Sequence, residues 1–325
     1  MSRSIAPETW LGFLETEYLD GFVRDGGAAV KFVVPLDDGA RPDIVDALCR
    51  SSRDRGFVTT RVRADETRVH MIDQVFFRIA GDVPWADLTD HVVLRLAGDL
   101  GYSTKGCGDD RPLFEELARL NGIDSKALLM ELRKKLSDEV FGQKRLSKDF
   151  RVAMTHLCLA KLTGGSAGAT TSQALIDWLA GRNTAIAAVK PYQIFNKITR
   201  TNARHFLESL LWWLRFAKAP GLVIVLEIDR LAVGKNPRDE RVYYTKASVL
   251  DAYEVLRQFV DSTDRLTGCL IVVMPAASFL DEADIRGISA YTALKARVFD
   301  EIHDKRLVNP MSSLVRLARQ DGGKG

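Results

Sequence analysis

AVKFVVPLDDGARPDIVDALCRSS, residues 29–52, is the stretch that decides the fold. Ala29–Pro35 is β-rich and apolar, and Leu36–Pro42 is dense in turn formers. From about Pro42 to Ser52 the apolar residues Ile44, Val45 and Leu48 recur at helical spacing. The same grammar extends outward from it. Residues 7–24 read as a helix, with Pro7 in the first turn, Trp10, Phe13, Leu14 and Tyr18 in register, and Gly26-Gly27 closing it. On the far side, GFVTTRVRA (Gly56–Ala64) reads as a strand. His70–Ala80 reads as a helix carrying Met71, Val75, Phe76 and Ile79. Strands alternating with helices predict a parallel α/β sheet.

From about residue 85 to 217 the pattern is almost wholly helical. It includes Asp124–Leu136, Lys148–Leu162 and Ser172–Ala180. A further helix runs from about Asn202 to Lys218, with Phe206, Leu207, Leu210, Leu211 and Leu214 on one stripe. TGGSAGATT (Thr163–Thr171) reads as a flexible linker. The α/β grammar returns after Pro220. GLVIVLEI (Gly221–Ile228) and GCLIVVMPA (Gly268–Ala276) are continuous apolar runs, as expected of strands covered on both faces. Thr245–Phe259 and Ala290–Ile302 read as helices, residues 232–245 as a loop and SSLVRLA (Ser312–Ala318) as a last strand. Neither half has enough strands alone, so the two are expected to close into one sheet. The expected organisation is an α/β core from residues 1–84 and 219–325, interrupted by a helical insertion at 85–218.

Composition narrows the function. The 325 residues carry a formal net charge of +3, too small by itself to argue for nucleic acid. The N-terminus has no apolar signal core and no apolar run approaches the ~18 residues needed to cross a bilayer, so a cytoplasmic protein is expected. Cys49, Cys107, Cys158 and Cys269 form no CxxC pair, and the histidines show no HxxH or HExxH spacing, so neither a disulfide framework nor a metal site is expected.

The turn after the first strand is where a phosphate-binding loop would sit. Such a loop reads GxxxxGK[ST]. Its glycines let backbone N–H groups curl toward phosphates, its lysine reaches the β and γ phosphates, and its hydroxyl holds Mg²⁺. Pro35 replaces the first glycine, Ala40 the second, Arg41 the lysine and Pro42 the hydroxyl residue. Asp37 and Asp38 add two carboxylates, each costing on the order of 4 kcal/mol per charge pair at ~4 Å beside a polyphosphate. The strand GLVIVLEI would end, in an ATPase of this design, in Asp-Glu for the magnesium shell and the attacking water. Here Glu227 and Ile228 stand there, with Asp229 one position late. The next strand tip, Pro275-Ala276-Ala277, lacks a polar sensor, although Ser278 is close.

Together these stretches resemble the BREX-type ATP-binding proteins, the BrxC/BrxD-like P-loop family of bacterial phage-defence islands, related to AAA+ and ASCE ATPases. AVKFVV is similar to the family's first strand and ALIDWLAGR (Ala174–Arg182) to its L-x-WL-x-G segment. TRTNARHFLESLLWWLRFAKAPGLVIVLEIDRL (Thr199–Leu231) resembles its helix and following strand. YEVLRQFVDS (Tyr253–Ser262), CLIVVMPAASFLDE (Cys269–Glu282) and RGISAYTALKARV (Arg286–Val298) continue the likeness, which runs from about residue 10 to 317. The resemblance implies a P-loop NTPase-like parallel sheet flanked by helices. It also implies a defence context, with other defence-system proteins, including an active ATPase homologue, as partners. Arg297 matches an arginine that in such ATPases faces a neighbouring subunit's nucleotide, so a partner or oligomer contact is expected of it. Family members usually continue past the point where this chain ends at Gly325, and that difference too points away from hydrolysis.

The expectation is a catalytically inactive pseudo-ATPase that scaffolds or regulates, with no catalytic residue, no metal and no cofactor. Two other readings stay open. A weak ATPase or nucleotide-gated switch would use Asp38, Gly39, Arg41 and Glu227. A DNA-binding module would use Lys144, Lys148 and Arg151, spaced as if on one helical face, and a second set, Lys197, Arg200 and Arg204, against double-stranded DNA. The same charges suit an ordinary solvated helix face, and the sequence shows no aromatic interleaving among them. Trp212 and Trp213 are adjacent and point to different faces, one toward the core.

Overall fold

The computed structural model describes residues 4–105, 112–235, 240–299 and 309–318. The chain divides into two compact units, residues 1–82 with 220–325, and residues 83–219. In chain order the first unit opens with α1 (Pro7–Phe13), which passes into a π-helical stretch, Leu14–Phe22, then β1 (Ala28–Pro35), α2 (Arg41–Asp54), β2 (Val58–Arg63) and α3 (Ile72–Asp82). The second unit holds α4 (Trp85–Asp99), α5 (Leu113–Asn121), α6 (Ser125–Leu136), α7 (Lys148–Thr163), α8 (Gly165–Leu179), α9 (Ile186–Val189) and α10 (Ala203–Phe216). The chain then returns to the first unit with β3 (Leu222–Glu227), α11 (Lys246–Asp261), β4 (Cys269–Met274), α12 (Thr292–Val298) and β5 (Leu314–Leu317).

The strands form one parallel sheet in the order β2-β3-β4-β1-β5, a P-loop NTPase-like α/β architecture. The two halves interleave: β1 pairs with β4 and β5, while β2 pairs with β3. β3 and β4 are buried at every position, which explains their unbroken apolar sequences. On one face Val33, Val223, Val225, Leu270, Val272, Met274, Val315 and Leu317 pack against Trp10, Leu14, Tyr18, Leu19, Ile44, Val45 and Leu48 of the helices. The widened turn at Leu14–Phe22 keeps helical bonding, with Val23 N–H donating to the Tyr18 carbonyl at 2.8 Å, and Tyr18 and Leu19 stay in that core.

In the second unit Phe206 of α10 meets Phe150 and Trp178 edge-on, with ring centroids 6.1 and 5.6 Å apart. Trp213 is fully buried, while Trp212 is half-buried and stacks on Phe216. The segment expected to be a linker, Thr163–Thr171, is helical instead. Gly164 and Gly165 take positive φ (59° and 69°) to turn the chain, and α8 begins at once. Gly168 lies against the Ala160 carbonyl of α7, where a Cβ would come within 2.6 Å. The small residues therefore serve close helix packing, a role that their turn-like composition conceals.

Candidate functional site

In a sheet ordered this way the connections leaving β1 and β4 run in opposite directions, and the crevice at their carboxyl ends is the usual ligand position. Three of the residues expected there, Asp38, Gly39 and Arg41, occupy the β1–α2 connection. No residue between Pro35 and Pro42 has positive φ. A short 3₁₀ turn, Asp38–Ala40, takes the place of a wide loop. Its amides are already bonded: Gly39 N–H to Asp37 Oδ1 at 2.9 Å, Ala40 N–H to the Asp37 carbonyl at 3.2 Å, and Arg41 N–H to the Asp38 carbonyl. Asp37 thus supplies the anion that caps the turn. With Asp38 and Asp43 it lines the positive end of α2, where Pro42 removes a further N–H.

Arg41 is buried and turned into the crevice. Its guanidinium bonds Asp38, donates to the Pro275 carbonyl at 3.1 Å at the tip of β4, and lies 3.3 Å from Asp229. Two carboxylates and a carbonyl therefore hold the one cation of the loop. Asp229 reaches it because the chain leaves strand geometry at Ile228 (φ −117°, ψ 17°) and coils into a 3₁₀ turn, Asp229–Leu231.

Glu227 ends β3 on the same face of the sheet as Val223 and Val225 and is buried. Arg61, level with Val225 on the neighbouring strand β2, engages both of its oxygens: Nε bonds Oε1 and Nη2 donates to Oε2 at 2.9 Å. That fork raises the Arg61 pKa, first through the hydrogen bond and then through the charge of Glu227. Asp46 of α2 lies 3.4 Å from the other arm of Arg61. Ile228 is buried and apolar. The end of β3 therefore presents a carboxylate already paired two-to-two with its own chain.

Arg61, Asp37 and Asp229 are the residues that the sequence reading missed or undervalued. Arg61 and Arg63 alternate in VTTRVR, so a cation in the carboxyl half of a strand was the available signal. Which partner it faced depended on strand order. Arg297 sits elsewhere, on α12, bonded to Asp261 of α11 and donating to the Ala293 carbonyl at 2.8 Å.

The basic residues expected to meet DNA all lie in the second unit. Lys144, Lys148 and Arg151 do not share a helical face as their spacing implied: α7 begins at Lys148, so Lys144 stands in the turn before it. Gly142 closes the preceding helical stretch, Ser137–Phe141, which interrupts the periodicity. Lys197 and Arg200 likewise precede α10, and only Arg204 lies on it. Arg151 donates to the Phe141 carbonyl at 2.7 Å.

Among the described residues no cluster of His, Cys, Asp and Glu could hold a metal ion, and no helix is long and apolar enough to cross a membrane. Cys49, Cys158 and Cys269 are buried and free; Cys107 lies outside the described residues. No curated protein and no solved structure matches the chain. One family model does, that of the BREX system ATP-binding protein BrxC/D, over residues 115–323. That span includes Glu227, Asp229 and Arg297 and begins after Arg41 and Arg61. As the match covers more than half of the sequence, the chain belongs to the BrxC/D family of BREX system ATP-binding proteins.

Proposed function

We propose that this chain is a pseudo-ATPase of a bacterial phage-defence system, acting as a scaffold or regulator through other defence proteins, among them an active ATPase homologue. The observation that carries the reading is the double closure of the crevice by the chain's own ion pairs. Arg41 is held by Asp38, Asp229 and the Pro275 carbonyl, and Glu227 is held by Arg61. The residues present do not fit a magnesium triphosphate. The turn's N–H groups are bonded to Asp37 and Asp38, and Asp37, Asp38 and Asp43 stand where phosphates would approach. Binding would expel one set of charges to admit another of the same sign, with no spare cation on the loop. A family named for ATP binding has here a member whose crevice charges are paired within the chain, only the Arg41 Nε–H being left without a hydrogen-bond partner among them.

Titration calorimetry with Mg-ATP tests this. The expected result is no saturable heat up to millimolar nucleotide. Micromolar binding, abolished by Arg41→Ala, would overturn it in favour of a nucleotide-gated switch built on Arg41 and Glu227. Light scattering of the chain with a catalytically complete homologue tests the scaffold role, and the expected result is a mixed assembly. Arg297→Ala would weaken that assembly if the arginine leaves Asp261 to reach the partner.

A further inference from the structure

Residues 143–151 and 194–205 lie far apart in sequence and side by side in the helical unit. Ser147 N–H donates to Ser209 Oγ at 3.0 Å, Asn196 Nδ2 donates to Asp149 Oδ2 at 2.9 Å, and His205 Nε2 lies 3.0 Å from the Arg145 carbonyl oxygen. Asn202 fixes the second segment internally. Its Nδ2 donates to the Lys197 carbonyl at 3.0 Å, and its Oδ1 accepts from Thr199 N–H at 2.8 Å. The segments that carry the two basic sets of the sequence thus adjoin.

Their charge is nearly all of one sign. The two segments contain seven Lys and Arg and a single acidic residue, Asp149. Asp149 is buried and turned toward Asn196, and Lys144, Arg145, Lys148 and Lys197 are exposed. Phe195 is 57 % exposed, two residues from Lys197, on a stretch that is neither helix nor strand. Phe141, 45 % exposed, sits under the Arg151 guanidinium at 5.7 Å. Rings left in water beside exposed lysines are the pairing that base stacking and phosphate contact require together, and Phe141 and Phe195 correct the expectation that no aromatic residue interleaves these charges.

We propose that this face binds single-stranded nucleic acid, with Lys144, Lys148 and Lys197 on successive phosphates and Phe195 stacked on a base. A duplex keeps its base faces inside the stack, so an exposed phenyl ring adds nothing to a duplex contact made through phosphates. None of these residues belongs to the α/β unit, so the inference stands whether or not that unit binds nucleotide.

Fluorescence anisotropy on the full chain, with labelled oligothymidylate, labelled oligouridylate and a labelled duplex, tests it. Single strands are expected to bind more tightly than the duplex, and affinity should fall steeply between about 50 and 200 mM salt. Phe195→Ala should weaken single-strand binding about tenfold and leave the salt slope and the duplex affinity unchanged. Lys148→Glu with Lys197→Glu should weaken binding of every probe and flatten the slope. All three side chains are exposed, and unchanged circular dichroism melting of the variants would confirm their folding. Two results would overturn the proposal. One is no single-strand binding at low salt. The other is duplex binding as tight as single-strand binding with no effect of Phe195→Ala.

Discussion

At the scale of single residues the crevice is governed by two arginines, one at each side of β4. Glu227 is only 6 % exposed and depends on Arg61 for its neutralisation. Removing one partner of such a pair leaves a buried charge uncompensated. Arg61→Ala is therefore expected to destabilise the fold by about 2–3 kcal/mol, and Arg61→Ala with Glu227→Gln by less than the sum of the single changes. Urea unfolding of the four proteins checks the coupling; strict additivity would refute it. Lys31 offers a separate test. It lies within β1, bonds the Met311 and Ser312 carbonyls and sits 4.6 Å over the Tyr18 ring, with no carboxylate among the described residues bonded to it. Burial lowers its pKa to about 8. The unfolded chain keeps that proton up to about 10.4, so between the two values it binds more protons than the folded chain and stability rises with pH. Tyr18 and the buried cysteines, all with raised pKa values, act in the opposite sense as pH climbs. The comparison is accordingly made against Lys31→Met. Between pH 7 and pH 10 the parent should gain on the variant by on the order of 2 kcal/mol in urea unfolding. A pH-independent difference would mean that Lys31 is as solvated in the folded chain as in the unfolded one.

At the scale of elements, α7 and α8 show how small residues mislead. Gly168→Ala adds one methyl, worth up to ~1 kcal/mol in helix propensity. Here that methyl meets the Ala160 carbonyl at 2.6 Å, so overpacking of about 1–3 kcal/mol outweighs the gain and the substitution should destabilise. Thermal melting of Gly168→Ala against Gly98→Ala, at a helical position where a Cβ meets nothing, isolates the effect; equal outcomes would restore the linker reading. The strands were legible for a contrasting reason. β3 and β4 are covered on both faces, and burial of every residue writes itself into sequence as LVIVLE and CLIVVM. The helix over Arg41–Asp54 was legible from Ile44, Val45 and Leu48, all core residues. What sequence could not carry was pairing across the sheet. Arg61 and Glu227 are distant in the chain, and only the adjacency of β2 and β3 makes them partners. Lys144 failed the same way in reverse: regular spacing placed it on a helix that begins four residues later.

At the scale of the whole molecule, the crevice is closed from two strands at once, and reopening one side should not restore the other. The β1–α2 turn bonds its Gly39 amide to Asp37, and Arg61 takes up the Glu227 carboxylate; on the proposed reading these contacts exclude phosphate and magnesium. Replacing Pro35–Pro42 with a GxxxxGKS loop supplies the amides, the lysine and the hydroxyl, but leaves Arg61 on Glu227. The expected behaviour is stepwise. The parent chain should show no thermal shift with ATP, with or without magnesium. The loop-replaced variant should gain a shift with ATP that magnesium does not enlarge. Only the loop replacement combined with Arg61→Ala should respond to magnesium. A ligand present at 100 times its dissociation constant adds about 2.7 kcal/mol to stability, several degrees of melting temperature for a chain this long, so the steps are resolvable. A magnesium-dependent shift in the parent would show that Arg41 and Glu227 still serve a nucleotide. A magnesium response in the loop-replaced variant alone would show that Arg61 yields Glu227 readily. Such a result would make the Arg61–Glu227 pair a removable latch, and loss of the loop the sole barrier to nucleotide binding.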